Sequence, residues 1–305
     1  MLLTFIAAAA AGIQMTAPGP QGPLAGTLID AGANAPVVLI IPGSGPTDRD
    51  GNNPMGVAAA PYRLLAEELA TKGVSSVRID KRGLFGSRAA VSDPNHVTIS
   101  DYATDTHTWV AAIRQQTGVR CVWVLGHSEG ALVALAAAQQ PDGICGIISA
   151  SGAGRKLSDV IREQLRSNPA NAPLLHSAMA ALDSLEKGQH VDVRTLDPTL
   201  LPLFRPQVQD FLIDMFRQDP AKLAASLRVP LLIVQGERDV QVSTKDARAL
   251  AAAQPKAKLA LIKRMNHVLK DVDSDDRNAN LATYADPELP VDQTAVQTIV
   301  DFVKR

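Results

Sequence analysis

Short runs of consecutive apolar residues recur along the chain, each closed by turn-forming residues. VVLII at 37–41 ends in PGSGP, VSSVRI at 74–79 in DKRG, and CVWVL at 121–125 in GHSEG. ICGIIS at 144–149 ends in ASGAG, VPLLIVQ at 229–235 in GERD, and KLALI at 258–262 stops before KRMNH. Runs that stay apolar at successive positions, instead of alternating, suit strands covered on both faces. Helical patterns lie between them. PYRLLAEEL at 61–69 has Pro61 in a first-turn position, 101–115 is helix-like, and 128–140 is stopped by Pro141. Alternation of this kind predicts an α/β fold, with a mostly parallel central sheet flanked by helices. Chemistry on such a sheet gathers beyond the carboxyl ends of its strands.

Residues 154–225 interrupt the alternation. Leu157, Val160, Ile161 and Leu165 follow helical spacing, as do Leu175, Met179 and Leu182, then Val208, Phe211, Leu212 and Met215, and Asp219-Pro220 opens a further helix. This stretch reads as an inserted helical cap whose apolar residues mostly form its own core. It divides the main domain into residues 23–153 and 226–305. Residues 1–22 are set apart as a signal peptide or N-terminal extension, because LLTFIAAAAAGI at 2–13 is apolar but too short to span a bilayer. No Lys or Arg precedes that run. Export to the periplasm or medium is the expectation, with a cytoplasmic location as the alternative.

Composition narrows the functional class. The 305 residues carry a formal net charge of −1, which offers nothing to nucleic acid or an anionic membrane surface. Apolar residues at 46% and charged residues at 20% describe a soluble globular chain that can bury a full core. The two cysteines, Cys121 and Cys145, read most simply as small core residues. Their strands would be neighbours, so pairing in an oxidising compartment stays open.

The strongest chemical signal is Gly126-His127-Ser128-Glu129-Gly130, between an apolar strand and the helical run ALVALAAAQQ. Strand, sharp turn and helix are the context in which G-x-S-x-G presents a nucleophilic serine. A serine hydroxyl needs a base to take its proton. Of six histidines, only His267 both follows a core strand and comes after Ser128 and Asp239. Asp239, just beyond LLIVQ, is the carboxylate expected to orient His267, in preference to Glu237. The backbone N–H groups of Ser44, in PGSGP, and of Glu129 are the expected oxyanion donors. His127 is expected to be a structural residue of the turn.

Charge is dense in Thr47-Asp48-Arg49-Asp50-Gly51-Asn52-Asn53 and in Asp80-Lys81-Arg82-Gly83, which fall at the same sheet edge. The preferred reading is an ion-pair network, with Glu129 or Asp48 neutralising Arg49 or Arg82. Gly43, Arg49, Arg82 and His127 are retained as candidate substrate contacts. Neither H-E-x-x-H nor paired cysteine spacing is present, so no metal or other cofactor is expected.

These motifs resemble the α/β-hydrolase superfamily. The closer resemblance is to bacterial carboxylesterases with a P-G-S-G-P-T-D-R-D-G-N loop, described as serine aminopeptidase-like hydrolases. The chain has that loop at 42–52, D-K-R-G at 80–83 and G-H-S-E-G at 126–130, and the resemblance spans 23–305. It implies a capped esterase for short- to medium-chain acyl esters, with the triad on Ser128, Asp239 and His267. The loop lacks an H-G-G-G run, which speaks against esters of bulky tertiary alcohols. The implied partner is a small-molecule ester, with a homodimer as a further expectation. The rivals are an aminopeptidase or amidase with the same triad, and a non-catalytic binding protein on the same scaffold.

Overall fold

The computed structural model describes residues 12–305. The apolar run at 2–13 therefore lies almost entirely outside the described residues. Eight strands form one sheet: β1 (Ile13–Ala17), β2 (Leu24–Ile29), β3 (Val37–Ile41), β4 (Ser75–Ile79), β5 (Val122–His127), β6 (Ile144–Ala150), β7 (Leu231–Gly236) and β8 (Lys258–Ile262). Their order across the sheet is β1-β2-β4-β3-β5-β6-β7-β8. The first two strands pair antiparallel, as do β2 and β4, and the other pairs are parallel. The apolar patterning missed β1 and β2. Ile13–Ala17 belongs to the sheet, with Met15 and Ala17 buried, so the segment set apart as an extension contributes an edge strand.

Helices α1 (Pro61–Thr71), α2 (Ile99–Thr117) and α3 (Glu129–Ala137) cross between β3, β4, β5 and β6. The insertion carries α4 (Leu157–Ser167), α5 (Leu175–Glu186), α6 (Leu201–Phe204), α7 (Pro206–Arg217) and α8 (Pro220–Ala225). Beyond it come α9 (Thr244–Ala253), α10 (Arg277–Ala282) and α11 (Gln293–Val303). Local sequence fixes several boundaries. Thr98 and Asp101 form a reciprocal capping box on α2, and Gly118 closes that helix at φ 74°.

The sheet explains the continuous apolar runs. On β3, Val37, Leu39 and Ile41 face one core with Trp109, Ile113 and Leu132, while Val38 and Ile40 face a second with Leu65, Ile299 and Phe302. Helix α3 is apolar all round because it packs on strands and also against α2 and α8. The insertion does not keep a separate core. Ile161, Leu182, Phe204, Leu212 and Phe216 join the first sheet-face cluster, and Phe211 meets Tyr102 of α2 edge-on. Arg155 anchors its start by pairing with the buried Asp246 of α9.

Cys121 and Cys145 are joined in a disulfide, so the simpler expectation of two separate core thiols does not hold. The bond ties the starts of β5 and β6, which are direct neighbours in the sheet. No helix among the described residues is long and apolar enough to cross a membrane.

Candidate active site

The strand order reverses between β3 and β5: β4 lies on one side of β3, and β5 to β8 follow on the other. The crevice at the carboxyl ends of β3 and β5 is the topological switch point. There the chain places Pro42–Pro46 after β3 and Ser128 after β5. Ser128 sits at φ 55° and ψ −118°, a strained backbone for a side chain with a Cβ. Two glycines make the turn feasible. A methyl on Gly126 would lie 2.0 Å from the Gly130 carbonyl oxygen, and one on Gly130 would lie 2.4 Å from the Ile41 carbonyl oxygen. The Ser128 hydroxyl does not cap α3, which leaves it unspent at the helix N-terminus.

Asp239 follows β7 and His267 follows β8. The His267 Nδ1 and Asp239 Oδ2 are 2.8 Å apart. An ionised carboxylate only accepts, so Nδ1 carries the proton and Nε2 presents its lone pair. Asp239 has a fully buried side chain, yet it is amply satisfied. Its Oδ1 accepts from the backbone N–H of Gln241 and Val242 at 2.8 and 2.9 Å, and its Oδ2 also accepts from Gln235 Nε2 at 3.1 Å. Burial acts to raise the pKa of Asp239. The nearby His267 and these donors outweigh it, so the carboxyl is held below its ordinary range. Glu237, the competing carboxylate, is exposed. Among the described residues the Ser128 hydroxyl has no hydrogen-bond partner, so its contact with His267 is not formed here. Such contacts commonly tighten only when a substrate docks.

His127 joins these parts together. Its Nε2 is 2.7 Å from the His267 carbonyl oxygen, which can only accept, so Nε2 carries the proton. Its Nδ1 then accepts from the Tyr62 hydroxyl at 2.8 Å, and the Tyr62 oxygen in turn accepts from the Gly43 N–H at 3.0 Å. Burial, reinforced by His267, drives the His127 imidazole from its ordinary range down to about 3. Both ring nitrogens of His127 are thus engaged within the protein. Its ring lies tilted on that of His267, with centroids 4.8 Å apart.

The other candidate substrate contacts are also spent internally. Gly43 gives its N–H to Tyr62, and its carbonyl accepts from Lys81 Nζ at 2.8 Å. The Arg49 guanidinium serves Asp80, Thr27 and Gln14. Arg82 grips Asp105 with two bonds of 2.7 and 2.6 Å and reaches Asp101 at 3.0 Å. The charges are therefore a structural network, but with other partners than those expected. Glu129 pairs with Lys81, and Asp48 accepts from the backbone N–H groups of Asp50 and Asn52. The N–H groups of Ser44 and Glu129 have no protein acceptor among the described residues. Sequence reasoning missed Tyr62, Gln235 and the individual role of Lys81. The D-K-R-G run was the available signal for Lys81, whereas Tyr62 and Gln235 look like ordinary helix and strand residues. No group of three or more His, Cys, Asp or Glu among the described residues could hold a metal ion.

An eight-stranded, mostly parallel sheet with a strained Gly-x-Ser-x-Gly turn at its switch point defines an α/β hydrolase. The chain belongs to the family described as serine aminopeptidase, S33, which it matches over residues 55–275. It is 27% identical to esterase EstD of Thermotoga maritima over 241 residues, covering 77% of this chain and 54% of that protein. It thus spans about half the length of this curated relative. Among solved structures, the esterase Pf2001 of Pyrococcus furiosus superposes with a TM-score of 0.60 at 16% identity, covering 97% of this chain and 92% of that one. Est1E of Butyrivibrio proteoclasticus gives 0.59 at 18% identity, covering 97% and 100%. At such identities the two structures bear on the fold alone.

Proposed function

We propose that this chain is a serine carboxylic-ester hydrolase for short- to medium-chain acyl esters. The observation that carries the reading is the Asp239–His267 hydrogen bond of 2.8 Å, which leaves Nε2 basic at the sheet edge that presents Ser128. In the first step His267 Nε2 takes the Ser128 proton while Oγ adds to the ester carbonyl carbon. The oxyanion takes hydrogen bonds from the Ser44 and Glu129 N–H groups. As the tetrahedral centre collapses, the ester C–O bond breaks and His267 protonates the departing alkoxide. Water then repeats the sequence on the acyl-enzyme, with His267 as base, and releases the carboxylic acid and free Ser128. Asp239 remains an anion throughout and stabilises the imidazolium. The disulfide between Cys121 and Cys145 supports a periplasmic or extracellular setting for this chemistry.

Hydrolysis of p-nitrophenyl acetate, butyrate and octanoate by the wild type and by Ser128→Ala tests the reading, alongside an aminoacyl p-nitroanilide. The expected result is ester turnover that the substitution abolishes, with fluorophosphonate labelling of the wild type only. Turnover of the anilide with no ester hydrolysis would favour the aminopeptidase that the family description names. Absence of labelling would favour a binding protein.

A further inference from the structure

Lys81 holds a place that the proposed chemistry does not yet use. It follows β4, and its ammonium is buried beside the candidate oxyanion site, with the side chain 4% exposed. Nζ donates to the Gly43 carbonyl oxygen and to Glu129 Oε1, both at 2.8 Å, and lies 5.2 Å from the centre of the Tyr102 ring. The neighbouring charges are otherwise engaged: Asp80 with Arg49, and Arg82 with Asp101 and Asp105.

The two acceptors of this ammonium belong to the two oxyanion donors. The Gly43 carbonyl and the Ser44 N–H are opposite ends of one planar peptide, so they point in opposite directions. Fastening the carbonyl inward on Lys81 turns the Ser44 N–H outward. A charge-assisted bond to a carbonyl also polarises its peptide and strengthens the N–H at the far end. The Gly43 N–H is fixed separately by Tyr62, so this residue is gripped from both sides.

Glu129 supplies the second N–H, from the first position of α3. Its carboxylate would oppose an oxyanion forming nearby. Lys81 draws it into a buried ion pair, with the glutamate side chain 2% exposed. The same contact orients the residue whose N–H faces the reaction.

We infer that Lys81 is a positioning residue that sets both oxyanion donors of this enzyme and masks the charge of Glu129. The inference rests on the serine-hydrolase reading above.

The test removes the ion pair as a unit. Lys81→Met alone would strand a buried carboxylate and endanger folding, so Lys81→Met/Glu129→Gln is the informative variant, with Glu129→Gln as its companion. Folding is followed by thermal unfolding, and active-site concentration by fluorophosphonate titration. For p-nitrophenyl butyrate, the double variant is expected to lose about 100-fold in kcat, the scale of one lost oxyanion donor. KM should move by no more than about twofold, as expected for an interaction realised in the transition state. Affinity for a trifluoromethyl ketone, which adds to Ser128 and forms the oxyanion, should fall in parallel with kcat/KM. Glu129→Gln, which keeps the ammonium on Gly43, should lose clearly less. A folded double variant with wild-type kcat and undiminished ketone affinity per active site overturns the inference and leaves the esterase reading intact. A wild type that neither hydrolyses the ester nor reacts with fluorophosphonate overturns the esterase reading itself.

Discussion

His127 donates its Nε2–H to the carbonyl oxygen of His267 at 2.7 Å, so the residue preceding Ser128 holds the loop that carries the proposed base. The same ring accepts from Tyr62, which accepts from Gly43, and one hydrogen-bonded line thus joins the loops after β3 and β8 through α1 and the end of β5. His127→Phe fills the volume but leaves the Tyr62 hydroxyl and the His267 carbonyl without this partner. Each buried orphan costs about 1–3 kcal/mol. Misplacing the base by a fraction of an ångström lowers kcat for the ester by about 10-fold or more. Steady-state kinetics and thermal unfolding of the variant check both effects.

The neutral state of His127 has a pH signature. The ordinary imidazole value is 6.5, whereas burial holds this ring at about 3 in the folded chain. Between those values the unfolded chain binds a proton that the folded chain refuses. Stability from this group is therefore complete above pH 6.5 and is lost as pH falls toward 3, by up to about 1.4 kcal/mol per pH unit. His127→Asn removes the titrating group. Its stability, measured by urea unfolding from pH 4 to 6.5, should fall less steeply than that of the wild type.

Asp239 accepts one hydrogen bond from His267 and three from other donors, so its geometry should outlast loss of its charge. Asp239→Asn offers an N–H₂ or a carbonyl to Nδ1 and disturbs the tautomer that keeps Nε2 basic. We expect kcat to fall about 10⁴-fold with the fold intact. The lowered pKa of Asp239 also stabilises the folded chain above the ordinary value of 3.8, and that contribution is lost as pH falls below it. The asparagine variant should lack this part of the acid response, readable in its unfolding midpoints below pH 5.

Arg82 illustrates why a charged residue at the site edge need not meet substrate. Its guanidinium is forked onto Asp105 of α2 and is largely buried. Removing one partner of a buried pair costs about 3–5 kcal/mol, because the other is left charged and unpaired. Arg82→Ala should therefore lower the unfolding free energy by about that amount, with little change in KM for a neutral ester. Arg82→Met/Asp105→Leu, which removes both charges, should recover most of the loss. A rise in KM with unchanged stability would instead make Arg82 a substrate contact.

The parallel strands were legible because burial on two faces writes an unbroken apolar run, as in VVLII and LLIVQ. Ser128, Asp239 and His267 could be nominated from sequence because each follows such a run at a sharp turn. Strands β1 and β2 were not legible, since IQMTA and LAGTLI mix small, polar and apolar residues at the antiparallel edge. The ion pairs could be anticipated only as a class. Which carboxylate meets Arg49 or Arg82 depends on where α2 crosses the sheet, and local sequence does not encode that crossing. The opposing roles of His127 and His267 were separable by position, yet the bond from one to the carbonyl of the other joins residues 140 apart in the chain.

The disulfide should matter to stability and not to catalysis. Cys121 and Cys145 are 24 positions apart, and closing a loop of that length restricts the unfolded chain enough to contribute about 3 kcal/mol. The bond lies at the starting ends of β5 and β6, whereas Ser128 lies past the far end of β5, roughly 20 Å away by strand rise. The intervening ladder between β5 and β6 is continuous from Trp123 to His127 and holds the turn without help from the sulfur bridge. Cys121→Ser/Cys145→Ser should therefore lower the unfolding temperature by on the order of 5–10 °C. Its kcat and KM at 25 °C should stay within about twofold of wild type, since the cost falls on the folding equilibrium and not on an interaction made in the transition state. Treating the wild type with dithiothreitol should reproduce the variant's unfolding temperature. A matching loss of kcat in the folded variant would instead mean that strain at the base of β5 reaches the serine turn.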